Sequence, residues 1–225
     1  MNCEELIRYF SVLSHDLKSP IFSIDGFSEL LLGDYNDRLD EEGQDFLRRI
    51  RSSVQQMKRV LDEMSHMVKL LARPNARRPT PLHEIVEEVL LKYNFQIEEG
   101  GVRVDVPADL PTLNVDSEKI REALGALVSN ALFFNDRPKG ERTVTIDCAA
   151  EGDRVRICVR DNGIGVDPRY LGQIFELGLK LDKSRGGGAG YGLYLARRVA
   201  ESHGGSLSAE SQLDQGSAFC LHIPG

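Results

Sequence analysis

The sequence predicts a chain in two parts, an all-α helical hairpin that pairs into a dimeric four-helix bundle and then an α/β sandwich. Three observations predict it. Over residues 1–72 apolar side chains recur in threes and fours and Pro20 is the only proline. Residues 73–81 then hold Pro74, Pro79 and Pro81, enough to stop a helix and stiffen a linker. From Leu82 to Gly225 the texture changes to short helical periods alternating with two-residue strand periods, the mark of helices packed on one face of a mixed sheet.

In the first part the spacing of Leu6, Phe10, Leu13, Leu17, Ile24, Phe27 and Leu31 reads as one helical seam, broken by the turn formers Gly33–Asp37. A second seam follows at Phe46, Ile50, Val54, Met57, Leu61, Met64, Val68 and Leu71, and Asp40 suits its N-terminus. One hairpin cannot bury two such seams, so a symmetric homodimer is expected. In the second part helices are expected over Leu82–Glu99, Ser117–Phe134 (capped by Asp116 or Ser117) and Gly192–Ser202. Strands are expected over Val102–Val106, Thr143–Ala149, Arg154–Arg160, Ser206–Ser211 and Ser217–Ile223, with Glu151-Gly152-Asp153 turning a hairpin.

Composition excludes several classes. A formal charge of −7 argues against nucleic acid as a partner. No apolar run approaches the roughly 18 residues of a membrane span, and Met-Asn-Cys-Glu-Glu is no signal peptide, so a cytoplasmic segment without membrane contact is expected. Cys3, Cys148, Cys158 and Cys220 lack metal-ligand spacing and read as reduced, mostly buried thiols.

Three places carry chemistry. His15 lies two residues, about 200° around the helix, from Leu13 and Leu17, and so points away from the seam. It is either a solvated surface histidine or a nucleophile whose imidazole Asp16 orients, with Ser19 on the same face. Asp161-Asn162-Gly163-Ile164-Gly165 follows a strand and Gly188-Ala189-Gly190-Tyr191-Gly192 opens a helix; each is either a turn or a cradle of backbone amides for an anion. Asn130 sits among apolar residues, so its amide either makes a structural hydrogen bond or offers a hard oxygen to Mg²⁺.

Taken in order, His15-Asp16-Leu17-Lys18-Ser19-Pro20, Ser129-Asn130-Ala131-Leu132-Phe133-Phe134, Asp161–Gly165, Ile174-Phe175-Glu176, Gly188–Leu193 and His203-Gly204-Gly205 resemble the motif series of the sensor histidine kinases of two-component signalling. The resemblance implies a dimerisation and phosphoacceptor hairpin at residues 1–72, a linker at 73–81 and a Bergerat-type ATP-binding domain at 82–225. It makes His15 the phosphoacceptor, with Asp16 as base or orienter and Ser19 aligning water if the chain also dephosphorylates its partner. Asn130 becomes the Mg²⁺ ligand and Asp161 the acceptor of the adenine amino group. Gly163 and Gly165 would admit the nucleotide closely, Phe175 would open a lid at about 176–189, and Gly188, Gly190 and Gly192 would turn amides to the phosphates. ATP with Mg²⁺, and a response-regulator receiver domain on a separate chain, are the implied cofactors and partner.

Two positions depart from the family pattern: Ala126 stands where a second Asn is usual and Phe133 where Lys or Arg is usual. Lys180 and Lys183, before the second glycine cluster, are the residues expected to supply the missing charge. Two rivals stand beside this reading: a non-catalytic dimerisation and docking module with a degraded ATP site, for which these departures speak, and a Bergerat-type ATPase switch. Ala126 argues against the second, because it occupies the position of the water-activating Glu.

Overall fold

The structure, a computed structural model, describes residues 3–135, 140–181 and 190–224, with side chains described from Phe10 onward apart from Ser11. Leu6 and Cys3, as side chains, and Lys183 and Gly188 altogether lie outside the described residues. The chain divides into two compact units, Met1–Arg73 and Pro74–Gly225. No helix among the described residues is long and apolar enough to cross a membrane.

The first unit is a helical hairpin, α1 (Cys3–Asp34) and α2 (Glu41–Ala72), joined through a 3-10 turn at Asn36–Arg38. Asp40 caps α2 as expected, its Oδ1 accepting from the Gly43 amide at 2.8 Å. Pro20 lies inside α1 without ending it. The face of α1 that meets α2 differs from the seam read in the sequence. Ser14, Ile21 and Ser28 are buried, and Ile21 forms a core cluster with Val54 and Leu61 of α2. The apolar row Leu13, Leu17, Ile24, Phe27 and Leu31 lies one residue round and is exposed. The reason is contact distance. Ser14 Oγ lies 3.0 Å from Ser65 Oγ, and small hydroxyl residues let the two backbones approach where leucines would hold them apart. Asp25, also on this inner row, meets Lys58, Gln55 (3.1 Å) and Arg51 (3.6 Å) from α2.

The second unit is a five-stranded mixed sheet in the order β2-β4-β5-β7-β6, with helices on one face. Its elements are β2 (Val102–Asp105), β4 (Arg142–Glu151), β5 (Arg154–Asp161), β6 (Ser206–Gln212) and β7 (Gly216–Pro224), with α3 (Leu82–Lys92), α4 (Asn94–Gly100), α5 (Ser117–Phe133) and α6 (Gly192–Ser202). Only the β2–β4 pair is parallel. Val144, Ile146, Ile157, Val159, Leu221 and Ile223 point into the core at alternate positions, against Ile120, Leu124 and Leu127 of α5 and Leu195 and Val199 of α6.

Three local expectations change. The single helix read over residues 82–99 breaks at Tyr93, whose amide is shared between Val89 O and Leu90 O. The apolar face that seats α3 ends there, and Leu91 and Phe95 are exposed. Inside the segment read as a linker, Arg78–Pro81 forms strand β1, paired antiparallel with β3 (Thr112–Val115). Four residues are too few for a period to declare itself, and two prolines fit only such a short edge strand. Finally, Cys158 and Cys220 are joined in a disulfide rather than reduced. The β5–β7 register sets them directly opposite, Cα to Cα 4.1 Å, a proximity that a sequence separation of 62 conceals. Cys148 stays free and half-buried.

Candidate functional site

On the hairpin, His15 is 86% exposed, with Nδ1 3.4 Å from Asp16 Oδ1. That contact is long and open to solvent, so Asp16 orients the ring only weakly. Ser19 is exposed on the same face, its carbonyl accepting from Ser23 Oγ at 3.2 Å. Phe22, one turn further, is exposed with Lys58 Nζ 4.5 Å from its ring centre. A small pocket beside His15 is lined by Phe10, Ser14, Lys18, Ser65, Val68 and Lys69.

In the second unit β5 delivers Asp161 to the sheet's end, 9% exposed. Its Oδ1 accepts from the Gly163 amide at 2.8 Å and from the Ser217 amide at 3.3 Å, which fixes the carboxylate. The loop that follows is threaded between two other stretches of backbone. A Cβ at Gly163 would lie on Phe134 O and Asn135 Cα, at the end of α5. A Cβ at Gly165, which has φ +68°, would lie on Gln212 O of the β6–β7 hairpin. These glycines therefore have an internal reason as well as the expected one: they let three chain segments meet at Asp161.

Sequence reasoning gave Asn162 and Asn135 no role, yet together they hold the first residues of β4. Asn162 Oδ1 accepts from the Thr143 amide at 2.9 Å, its Nδ2 donates to Glu141 O at 2.8 Å, and Asn135 Nδ2 donates to Thr143 O at 2.9 Å. The signal was the Asn inside Asp-Asn-Gly, read only as a turn former.

Asn130 is in the last turns of α5, half-buried, and its amide makes no hydrogen bond among the described residues. A neutral oxygen with no partner among the described residues fits a metal held mainly by phosphates. No cluster of three or more His, Cys, Asp or Glu residues able to hold a metal occurs among the described residues. The start of α6 packs on the same helix: a Cβ at Gly192 would lie 3.4 Å from Ala126 Cβ. Gly190, with φ +81°, closes on Gly178, whose amide donates to Gly190 O at 3.1 Å. Glu176–Leu181, where the lid was expected to begin, includes Lys180, half-buried. Phe133 is 40% exposed, its ring set edge-on to Phe134 at 4.9 Å.

The comparisons agree with this division. Residues 5–73 match the His Kinase A (phospho-acceptor) domain, and residues 115–225 match the histidine kinase-, DNA gyrase B- and HSP90-like ATPase family. The chain belongs to the sensor histidine kinases. It is 32% identical over 96% of its length to cyanobacterial phytochrome B of Nostoc sp., covering 29% of that protein. It is 30% identical over 98% of its length to the methanogenesis regulatory histidine kinase FilI of Methanothrix harundinacea, covering 25% of it. The chain thus spans between a quarter and a third of the length of these curated relatives. Among solved structures, full-length ShkA in complex with AMPPNP matches 96% of this histidine kinase chain at TM-score 0.71 and 27% identity, over 45% of the ShkA chain. The catalytic domain of ThkA, at 22% identity and TM-score 0.57, shares the fold over 66% of this chain and 95% of its own.

Proposed function

We propose that this chain is an ATP-dependent histidine autokinase that phosphorylates His15 and passes the phosphoryl group to an aspartate of a response-regulator receiver domain in trans. The observation that carries this reading is the almost complete exposure of His15 within a region matching a phospho-acceptor family. With Nδ1 turned to Asp16, Nε2 is the nucleophilic nitrogen. It attacks the γ-phosphorus of ATP, the bond from that phosphorus to the β,γ-bridging oxygen breaks, and ADP leaves. Asp161 receives the adenine amino group, Gly190 and Gly192 offer amides near the phosphates, and Asn130 is the residue to hold Mg²⁺, which neutralises triphosphate charge when bound. Neither rival gains support from the comparisons.

The exposed row Leu13, Leu17, Ile24, Phe27 and Leu31, with Phe46, Ile50 and Met57 of α2 also exposed, supports a homodimer that buries them as a four-helix bundle. Ser19 and Phe22 stand where a docked receiver domain would touch. Incubation with γ-labelled Mg-ATP tests the activity. Acid-labile label should appear on the chain and vanish in His15→Gln, which should still bind ATP and sediment as a dimer. Label persisting on His15→Gln would refute His15, and a monomer at micromolar concentration would refute the bundle.

A further inference from the structure

The second unit contains a buried polar cluster that neither the nucleotide nor the phosphoacceptor requires. Asp116, Lys119 and His203 are 2%, 1% and 1% exposed, and Lys119 is the one buried Lys or Arg among the described residues. Asp116 Oδ1 caps α5 through the Lys119 amide at 3.1 Å. Its Oδ2 accepts from the Ala76 amide at 2.9 Å. Lys119 Nζ donates to Asn75 Oδ1 at 2.7 Å, and Asn75 Nδ2 donates to Ser202 O, at the end of α6, also at 2.7 Å. His203, of the His-Gly-Gly motif, closes the set. Its Nδ1 lies 2.8 Å from Val199 O, an acceptor, so Nδ1 carries the proton. Its Nε2 then accepts from the Asp116 amide at 3.2 Å. The ring is held neutral in one tautomer. A second proton on Nε2 would face the Asp116 N–H.

What these groups hold is residues 75 and 76. Arg73 is the C-cap of α2, in extended conformation, and Pro74 alone separates it from Asn75. Proline fixes its own φ and keeps the residue before it extended, so this connection is short and stiff. At the far end of α5, about 20 Å along the same helix, stands Asn130. Apolar side chains would fill such a space at less desolvation cost, whereas a satisfied polar network specifies position.

We propose that Asp116, Lys119 and His203 form a clamp on Asn75 and Ala76 that fixes where the ATP-binding unit is attached to α2, and that these are positioning residues for phosphoryl transfer to His15. This inference rests on the autokinase reading for its kinetic consequence only. The clamp does not bind the nucleotide. It sets how a displacement at the end of α2 is delivered to the base of the helix that carries Asn130.

The test uses the full chain. Hydrogen exchange should show the Ala76 amide protected in the wild type and at least tenfold faster in Asn75→Ala, whose half-buried side chain can be cut back without opening the core. Mg-ATP affinity should stay within twofold while His15 labelling at saturating Mg-ATP slows at least fivefold. Lys119→Met should reproduce this if thermal unfolding shows it folded; otherwise Asn75→Ala decides. Inserting two glycines between Arg73 and Pro74 should slow labelling while leaving Ala76 protected. An unprotected Ala76 amide in the wild type overturns the clamp. Unchanged labelling in both Asn75→Ala and the insertion overturns its positioning role, as does a loss of rate that merely follows a loss of ATP affinity. If the wild type takes no label the autokinase reading fails, and exchange at Ala76 still decides the clamp.

Discussion

Replacing Gly163 by alanine tests whether the loop after Asp161 is shaped by packing. The added methyl has no flexible side chain to displace: it would fall on Phe134 O, Phe134 C and Asn135 Cα, all backbone. The Ile164 amide donates to the same Phe134 O at 3.0 Å, so relieving the clash stretches that bond. Overpacking of this kind costs about 1–3 kcal/mol and a lost hydrogen bond about 0.5–1.5 kcal/mol, together about 1.5–4.5 kcal/mol. For a unit of this size each kcal/mol moves Tm by about 2–4 °C, so the transition of the second unit should fall by about 3–18 °C. The Gly163 amide also holds Asp161 Oδ1, so ATP affinity should fall with stability. Scanning calorimetry and equilibrium dialysis measure the two. Gly172→Ala, where an added Cβ meets nothing within 4 Å, serves as the control and should leave both unchanged. A Gly163→Ala protein melting within about 2 °C of the wild type would refute the packing argument.

Three further outcomes follow from the same geometry. The Lys58 ammonium, and then Arg51 and Gln55, hold the Asp25 carboxyl below its ordinary value of 3.8, so its contribution to the hairpin is full above that value and is lost as pH falls through the depressed one. The Tm advantage of wild type over Asp25→Asn should therefore be constant well above pH 3.8 and narrow progressively as pH falls below it, and a gap independent of pH down to the acid unfolding of the hairpin would contradict the pairing. Phe133→Lys, at a position 40% exposed, restores a cation where the family usually has one and should tighten Mg-ATP binding about tenfold or more; unchanged affinity would mean that Phe133 is not beside the phosphates. Thiol titration of the denatured, unreduced chain should count two cysteines, and reducing the 62-residue loop closed by Cys158 and Cys220 should destabilise the second unit by about 4 kcal/mol; four free thiols would remove the disulfide.

How far the sequence could be read depends on element length. The long periods of α1 and α2, the Asp40 cap, the Gly152 turn and both ends of α6 were legible because each carries a local signal repeated or reinforced within one element. The face of α1 that meets α2 was not. Hydrophobicity marks the row Leu13–Leu31, but closeness of approach selects Ser14, Ile21 and Ser28, and serine in a seam looks polar when its partner Ser65 is 51 residues away. The disulfide and strands β1 and β3 were hidden for the same reason, since each exists only as a pairing between distant segments. Of the proposed site, Asp161, Asn130 and the glycines were singled out by motif order rather than by any periodicity. The network from Asn75 to His203 escaped because its residues come from three stretches far apart in sequence, at 75–76, 116–119 and 199–203.

The glycines of this site say less about nucleotide binding than their number suggests. Gly163, Gly165 and Gly216 each stand where a Cβ would strike backbone of another segment, and the last would meet Asp161 O itself. A chain that had lost ATP binding would still need them to fold, so their presence does not separate the kinase from a docking module with a degraded site. Asp161 is also compromised as a witness, because Oδ1 ties down Gly163 and Ser217 whether or not adenine is bound. The side chains that discriminate are those the fold does not use. Asn130 carries a half-buried amide with no hydrogen bond among the described residues, and His15 carries an imidazole 86% exposed beside a weak carboxylate contact. Half-buried, the Asn130 amide is still within reach of water, so the fold neither requires it nor loses much by it, and its oxygen stays available to a metal or phosphate. By the same logic Asn130→Ala should leave Tm unchanged or raise it while lowering Mg-ATP affinity. A fall in Tm of several degrees with affinity intact would make Asn130 a structural residue and return the docking module to contention.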